Sequence, residues 1–300
     1  MASPVEVAPL ERQSTGVIGD YVALTKPRII SLLLVTTIAP MFVAGTPTWS
    51  AVLWVTIGGY LMAGGANAVN MYLDSDIDDV MARTRLRPIP SGRMTKRAVM
   101  AFGILIATAA TYLLANFVNV LTAALALSGF YFYVFIYTRW LKRSSPQNIV
   151  IGGAAGAFPP LVGWAAVTGR IDLASIFLFL IVFYWTPPHF WALALNKQRD
   201  YDNAGVPMAP LVWGVRETID QMVYYSFLLV ALTVLPVCFG VFGLAYLGSA
   251  LSLGALFIVG VWKVRAARDG GWEKPSWWLF KYSLLYLALL FVAMAVDRHL

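Results

Sequence analysis

Residues 70–79 read Asn70-Met-Tyr-Leu-Asp74-Ser-Asp76-Ile-Asp78-Asp79. Positions four apart advance about 400° around a helix, so Asn70, Asp74 and Asp78 form one stripe, drifting by about 40° per step and about 12 Å long. Carboxylates stacked in this way repel one another, and at a helix C-terminus the macrodipole adds to the negative potential. A bound cation relieves both. Mg2+ is commonly held by one or two carboxylates together with substrate phosphate oxygens, so the stripe predicts metal-assisted handling of a phosphorylated substrate. Asp76 falls on the opposite face and is expected in solvent, whereas Asp79, about 100° from Asp78, could belong to either. Arg83, Arg85, Arg87 and Arg93 follow. Of these, Arg83 and Arg87 are close enough in the chain to reach the same anion, and a guanidinium grips phosphate with a planar fork of donors. Lys96 and Arg97 read as partners of lipid headgroups.

A second polar group, Asn196-Lys197-Gln-Arg199-Asp200-Tyr201, repeats the Asn-x3-Asp spacing 126 residues later. Two matched polar helix ends point to an internal duplication around one shared site. Lys197 and Arg199 either assist the phosphates or follow the charge asymmetry of membrane loops. Upstream, Tyr184-Trp185-Thr-Pro187-Pro188-His189-Phe190-Trp191 places two prolines inside an apolar run, which predicts a kink or break in that helix. On a continuous helix His189, Asn196 and Asp200 share a face to within about 20°, with His189 about 16 Å further along the axis than Asp200. His189 is read with equal weight as a satisfied core residue and as a functional imidazole, a common metal ligand when neutral. A third polar group, around Lys142 and Arg143, could close over an anion as a lid.

The elements that must carry these residues follow from composition. Only 12% of the 300 residues are charged and 59% are hydrophobic, about half the charge of a soluble domain. Uncharged runs cover 29–73, 98–138, 144–169, 173–196 and 221–262. A membrane crossing takes about 20 apolar residues, so the first, second and last of these runs each hold two. Breakers near their middles divide them at Gly45–Thr48, Asn116–Asn119 and Gly240–Gly243. With a final span over about 279–296, the expectation is an all-α polytopic membrane protein of nine transmembrane helices around a central cavity opening near the cytoplasmic side. Placing the N-terminus inside puts 20 of the 22 Lys and Arg on the cytoplasmic side, leaving Arg170 and Arg298 outside, as the positive-inside rule requires. The net charge of +7 is therefore a topology signal, and nucleic-acid binding is not expected. Spans 1 to 8 carry no ionisable residue near their centres except His189, which argues against an ion-coupled transporter. The lone Cys238 forms no intrachain disulfide. Residues 1–24 are read as a flexible cytoplasmic tail without a cleavable signal or transit peptide, residues 25–300 as one membrane domain, and a bacterial inner membrane as the location.

The Asn70-x3-Asp74-x3-Asp78 stripe, the second acidic loop and the nine spans resemble the UbiA superfamily of intramembrane prenyltransferases over roughly residues 25–296. Asp78-Asp-Val-Met81-Ala-Arg83-Thr84-Arg85-Leu-Arg87-Pro88, Asn148-Ile-Val-Ile-Gly-Gly with Pro159-Pro160, Trp185-Thr-Pro-Pro-His189-Phe190, and Asp200-Tyr201 with Ala204-Gly205-Val-Pro207-Met208 are similar to the members that prenylate heme. The resemblance implies farnesyl diphosphate as donor and heme b as acceptor and substrate, giving heme O and diphosphate. It also implies Mg2+ at Asp74, Asp78 and Asp200, with Asn70 and Asn196 beside them. Arg83, Arg87, Lys142, Arg143 and Lys197 are then the diphosphate's cations. Tyr184, Trp185 and Trp191 would shelter an allylic cation with their π faces, and His189 would bind the iron porphyrin or hold its reacting edge. Where many superfamily members carry a second set of three acids, this chain has Asn196, Asp200 and Ala204, which leaves the number of metal ions open. Alternatives are a different aromatic or porphyrin acceptor, or a non-catalytic heme-handling membrane protein. Expected associates are the lipid bilayer and heme O-modifying or oxidase-assembly proteins.

Overall fold

The computed structural model describes residues 16–300, and every regular element in it is helical. Among the described residues, nine helices are long and apolar enough to cross a membrane; the chain is a multi-pass membrane protein. A short helix α1 (Gly16–Thr25) precedes α2 (Pro27–Ala44) and α3 (Trp49–Leu73), which runs into the one-and-a-half-turn α4 (Ser75–Val80). The next pair is α5 (Lys96–Phe117) and α6 (Val120–Tyr131). The latter passes directly into a π-helical segment (Phe132–Leu141) and a last turn α7 (Lys142–Ser144). Then come α8 (Asn148–Thr168), α9 (Leu173–Leu195), the short α10 (Gln198–Asn203) and α11 (Ala209–Val212), and α12 (Val215–Cys238), α13 (Leu244–Ala266) and α14 (Glu273–Asp297).

Two of the three expected breakers fall between helices and the third, Asn116–Asn119, straddles the end of α5; two of them supply N-caps. Thr48 accepts from the Ala51 amide at 3.2 Å and Asn119 from the Thr122 amide at 2.8 Å, satisfying donors that a helix start leaves open. The last span begins six residues earlier than expected, at Glu273. Pro187 and Pro188 do not break α9, nor Pro159 and Pro160 α8; both helices run on through them. The expected flexible tail needs correction at its end. Residues 16–24 belong to α1, with Asp20 held by Arg93 at 2.8 Å and Leu24 fully buried, because the helix has a polar anchor and an apolar contact on the adjacent bundle. The rest of the tail, residues 1–15, lies outside the described residues.

Small residues bring the helices close, as membrane packing demands. At Gly163 of α8 a side chain would overlap the Thr37 carbonyl oxygen of α2, so the two backbones touch there. Hydroxyls in the bundle find carbonyls instead of water: Thr37 donates to Leu33 (3.0 Å), Thr186 to Val182 (2.9 Å), and Tyr282 of α14 crosses to Leu253 of α13 (2.7 Å). The largest buried core gathers side chains from α8 to α14 and also takes in Ile77 and Met81 from the α4 region. The α4 region is thereby packed onto the second half of the chain.

Candidate functional site

Asp74 is the junction between α3 and α4, with φ −93° and ψ 9°. The hydrogen-bond ladder nevertheless continues across it, Asp74 N to Asn70 O at 2.9 Å and Asp78 N to Asp74 O at 2.8 Å. The stripe read from the sequence therefore survives the interruption. Asn70, Asp74 and Asp78 are all buried, Asp74 to within 1%, and burying charge demands partners. Those partners are cations from two other segments, α7 and the loop after α4. Lys142 Nζ lies 2.5 Å from Asp74 Oδ2, Arg87 Nη1 lies 2.6 and 2.8 Å from the two oxygens of Asp78, and Arg143 approaches Asp74 Oδ1 to 3.6 Å. Arg143 also forks onto both oxygens of Asp76 at 2.7 Å and donates to the Leu73 carbonyl at 2.8 Å. That fork holds the Asp76 carboxyl well below the usual carboxylate range, although its side chain is 63% exposed. Asp74 Oδ1 is buried without a hydrogen bond.

Two residues that the sequence reading passed over complete the cluster. Lys26, in the break between α1 and α2, sits at φ 56°, uncommon for a residue with a side chain. Asn67 Nδ2 pins the preceding Thr25 carbonyl at 2.9 Å, and Lys26 Nζ then reaches Asn70 Oδ1 at 3.1 Å. Burial, then Arg87, pushes its ammonium down to about 7. Thr138, in the π-helical segment, donates to the Tyr133 carbonyl five residues back at 2.8 Å and accepts from Asn70 Nδ2 at 3.1 Å. The remaining contact of that amide is Asp74 Oδ2, at 2.7 Å. Lys26 could have been noticed, with Arg28, as the charged break before a long apolar run. Nothing in the spacing of Thr138 marks it.

The second polar group does approach the first. Arg83 lies over the Tyr201 ring at 6.0 Å from its centroid, Asn148 Nδ2 reaches the Pro207 carbonyl at 3.4 Å, and Tyr201, Val206 and Met208 share the core that holds Ile77 and Met81. Burial raises the Tyr201 hydroxyl above its ordinary range. The continuous helix expected from His189 to Asp200 is absent, since α9 ends at Leu195 and α10 begins at Gln198. Asn196 turns to α14, donating to Ser276 Oγ at 2.6 Å. Asp200 is half-buried and, like Lys197, makes no ion pair or side-chain hydrogen bond among the described residues. No three His, Cys, Asp or Glu side chains among the described residues converge on one point; around Asp74 and Asp78 the neighbours are cations.

His189 belongs to a separate stack between α9 and α14. Its ring lies between Trp185 (4.2 Å) and Phe280 (4.7 Å), and Nδ1 is 2.6 Å from Ser283 Oγ. Ser283 gives its own proton to the Phe280 carbonyl at 2.7 Å, so it accepts from His189. Nδ1 therefore carries the proton and Nε2 the lone pair. Trp185 Nε1 donates to the Ser283 carbonyl at 2.8 Å. Tyr184 packs against Tyr225 at 6.0 Å, and Trp191, fully buried, meets Trp213 and Tyr225 edge-on with its Nε1 lacking a hydrogen bond.

Residues 32–285 match the UbiA prenyltransferase family. The chain is 57% identical to the protoheme IX farnesyltransferase of Roseiflexus castenholzii, over 94% of this chain and 53% of that protein. It is 51% identical to the protoheme IX farnesyltransferase of Symbiobacterium thermophilum, over 95% of this chain and 96% of that one. The chain thus spans about half the length of several curated relatives it matches, the Roseiflexus protein among them. Among solved structures, a UbiA homologue from Archaeoglobus fulgidus bound to DMAPP and Mg2+ shares the fold, with a TM-score of 0.67 and 14% identity over 92% of this chain and 99% of that one. By this match over most of its length, the chain belongs to the UbiA prenyltransferase family.

Proposed function

We propose that the chain transfers a farnesyl group from farnesyl diphosphate to a vinyl group of heme b at the cytoplasmic face of a bacterial inner membrane. The observation that carries the acceptor is the 51% identity to a protoheme IX farnesyltransferase covered over 96% of its length. The donor is supported by the cation-lined stripe, whose chemistry suits a diphosphate.

The residues suit a divalent cation. They offer hard oxygen donors, and the buried Asp74 Oδ1 has no hydrogen bond, an arrangement costly unless something else satisfies it. Asp74 and Asp78 would hold Mg2+ from the first half and Asp200 from the second. When bound, Mg2+ supplies charge neutralisation for the departing diphosphate, commonly a large share of catalysis. Arg83, Arg87, Lys142 and Arg143, with Lys26 beside them, grip the diphosphate oxygens; Lys197 stands near Asp200. The C1–O bond of the donor breaks with its electron pair leaving on the diphosphate. The terminal vinyl carbon bonds to C1 of the allylic cation. Water adds to the cation left next to the porphyrin and loses a proton, so a hydroxyl remains. Trp185 and Tyr184 offer π faces to the allylic cation, and Nε2 of His189 offers a lone pair toward the iron porphyrin. Enzymes that modify the product further and oxidase-assembly proteins are the expected recipients.

The test is mass spectrometry of heme b incubated with membranes containing the chain, Mg2+ and farnesyl diphosphate. A product heavier by one farnesyl group and one hydroxyl is expected. Unchanged heme beside intact diphosphate would overturn the reading.

A further inference from the structure

The imidazole of His189 is 6% exposed and held flat between two rings. Trp185 of its own helix stacks on it at 4.2 Å and 17°, and Phe280 of α14 at 4.7 Å and 22°. Two near-parallel neighbours at those distances must cover opposite faces, so only the edge of the imidazole is left to meet anything else. On that edge Nδ1 donates to Ser283 Oγ at 2.6 Å, and Nε2 makes no hydrogen bond among the described residues. A polar atom on a side chain buried this deeply ordinarily has a partner. The two faces also block the ring from flipping, and Trp185 is itself pinned to α14 through Nε1 and the Ser283 carbonyl at 2.8 Å.

Ser283 decides which nitrogen keeps the lone pair. Its hydroxyl proton goes to the Phe280 carbonyl at 2.7 Å, so toward His189 it can only accept, and Nδ1 must carry the ring proton. We infer that Ser283 is a positioning residue for the acceptor, holding His189 in the one tautomer and orientation in which Nε2 can give its lone pair to the iron of a porphyrin. Imidazoles that bind metals commonly donate their second ring N–H to a neighbour that fixes them in this way. A carboxylate in that place would raise the basicity of the ring and tighten the bond to iron. The uncharged serine oxygen does so less, which suits an iron porphyrin that must leave after it has reacted. A metal on Nε2 lies in the plane of the imidazole, so a macrocycle bound through its axial position stands across the aligned edges of Trp185, His189 and Phe280. The stack thereby restricts the tilt of the porphyrin whose vinyl group must meet the donor. The inference rests on the heme reading above and adds to it the residue that orients the acceptor.

Titration of the purified full chain with heme b and, separately, with metal-free protoporphyrin IX tests this. Binding is followed by absorption, and the iron–imidazole band of the reduced heme complex by resonance Raman scattering. The band is expected in wild type. Ser283→Ala is expected to weaken heme b about tenfold or more, to shift or abolish the band, and to leave protoporphyrin IX within about twofold. Ser283→Thr, whose hydroxyl can make the same bond to the carbonyl one turn back, is expected to restore both affinity and band. Equal loss of the two porphyrins in Ser283→Ala would show a packing role and overturn the inference, as would a wild-type affinity and band in that variant. In both cases farnesylated heme formed by the wild-type chain leaves the heme reading standing. Wild-type protein that binds neither porphyrin and forms no farnesylated heme overturns the reading and the inference with it. The wild-type band also decides where a variant does not fold: its presence supports the inference and its absence from the heme complex overturns it.

Discussion

Lys26 Nζ donates to Asn70 Oδ1 at 3.1 Å, so a lysine from the break between α1 and α2 fixes the amide near the C-terminal end of α3. With its oxygen committed to Lys26, the amide turns its nitrogen to Asp74 Oδ2 and to Thr138. Asn70 therefore works as a donor that orients the carboxylate, and the hydroxyl of Thr138 holds it there.

Removing that hydroxyl tests the arrangement. Thr138→Val keeps the shape and deletes the acceptor of the Asn70 amide and the bond to Tyr133. It is expected to lower stability by about 1 kcal/mol and to raise KM for the prenyl diphosphate several-fold, with Thr138→Ser restoring both. Steady-state kinetics beside thermal melting reads the two effects, and equal KM values in all three proteins would discount a positioning role.

Asp74→Asn keeps the size of the side chain and removes its charge. Loss of a group that aligns charge against the leaving diphosphate typically costs about 100- to 1000-fold in turnover, and that range is expected in a heme prenylation assay. Wild-type rates in the variant would remove Asp74 from the chemistry.

Asp76 is held low by Arg143, and the sign of its contribution follows. A carboxyl whose folded value lies below its unfolded value near 3.8 adds stability above that pH and loses it as the pH falls through the folded value. Asp76→Asn should therefore melt below wild type at pH 5 to 7 and converge with it in stronger acid. The pair is exposed, so the difference is small, about 2 °C or less. A gap that widens in acid would contradict the assignment.

His189→Ala removes a ring packed on both faces and the bond to Ser283. Truncation of a buried ring costs about 3 kcal/mol, and a clear fall in melting temperature is expected. The KM for the diphosphate should stay within about twofold, because none of the hydrogen bonds or ring contacts of His189 involves the Asp74 cluster. A large KM change would place the imidazole nearer the donor than its contacts imply.

Much of the architecture is readable from residue types, because a bilayer punishes polar backbone so strongly. The breakers at Gly45–Thr48, Asn116–Asn119 and Gly240–Gly243 end helices where they were expected to. The Asn70–Asp74–Asp78 stripe holds its register because the ladder crosses Asp74 unbroken. Local pattern reaches no further than that. The pairing of Asp74 with Lys142 joins residues 68 apart, and no periodicity encodes it. The π-helical segment has no residue signature, so Thr138 could not be placed opposite Asn70. No single helix carries His189, Asn196 and Asp200 on one face, because α9 stops at Leu195.

The contacts of α14 with α9 form a row: Ser276 takes the Asn196 amide, Phe280 the His189 ring, and Ser283 both His189 and Trp185. All three partners lie on α14, the last of the helices described. During synthesis Asn70, Asp74, Thr138 and Lys142 can meet once the first four of the described crossings are inserted. The histidine stack has nothing to close against until residue 283 leaves the ribosome. A chain stopped short of α14 would thus carry an assembled acidic cluster while the faces of Trp185 and His189 that α14 covers stayed open.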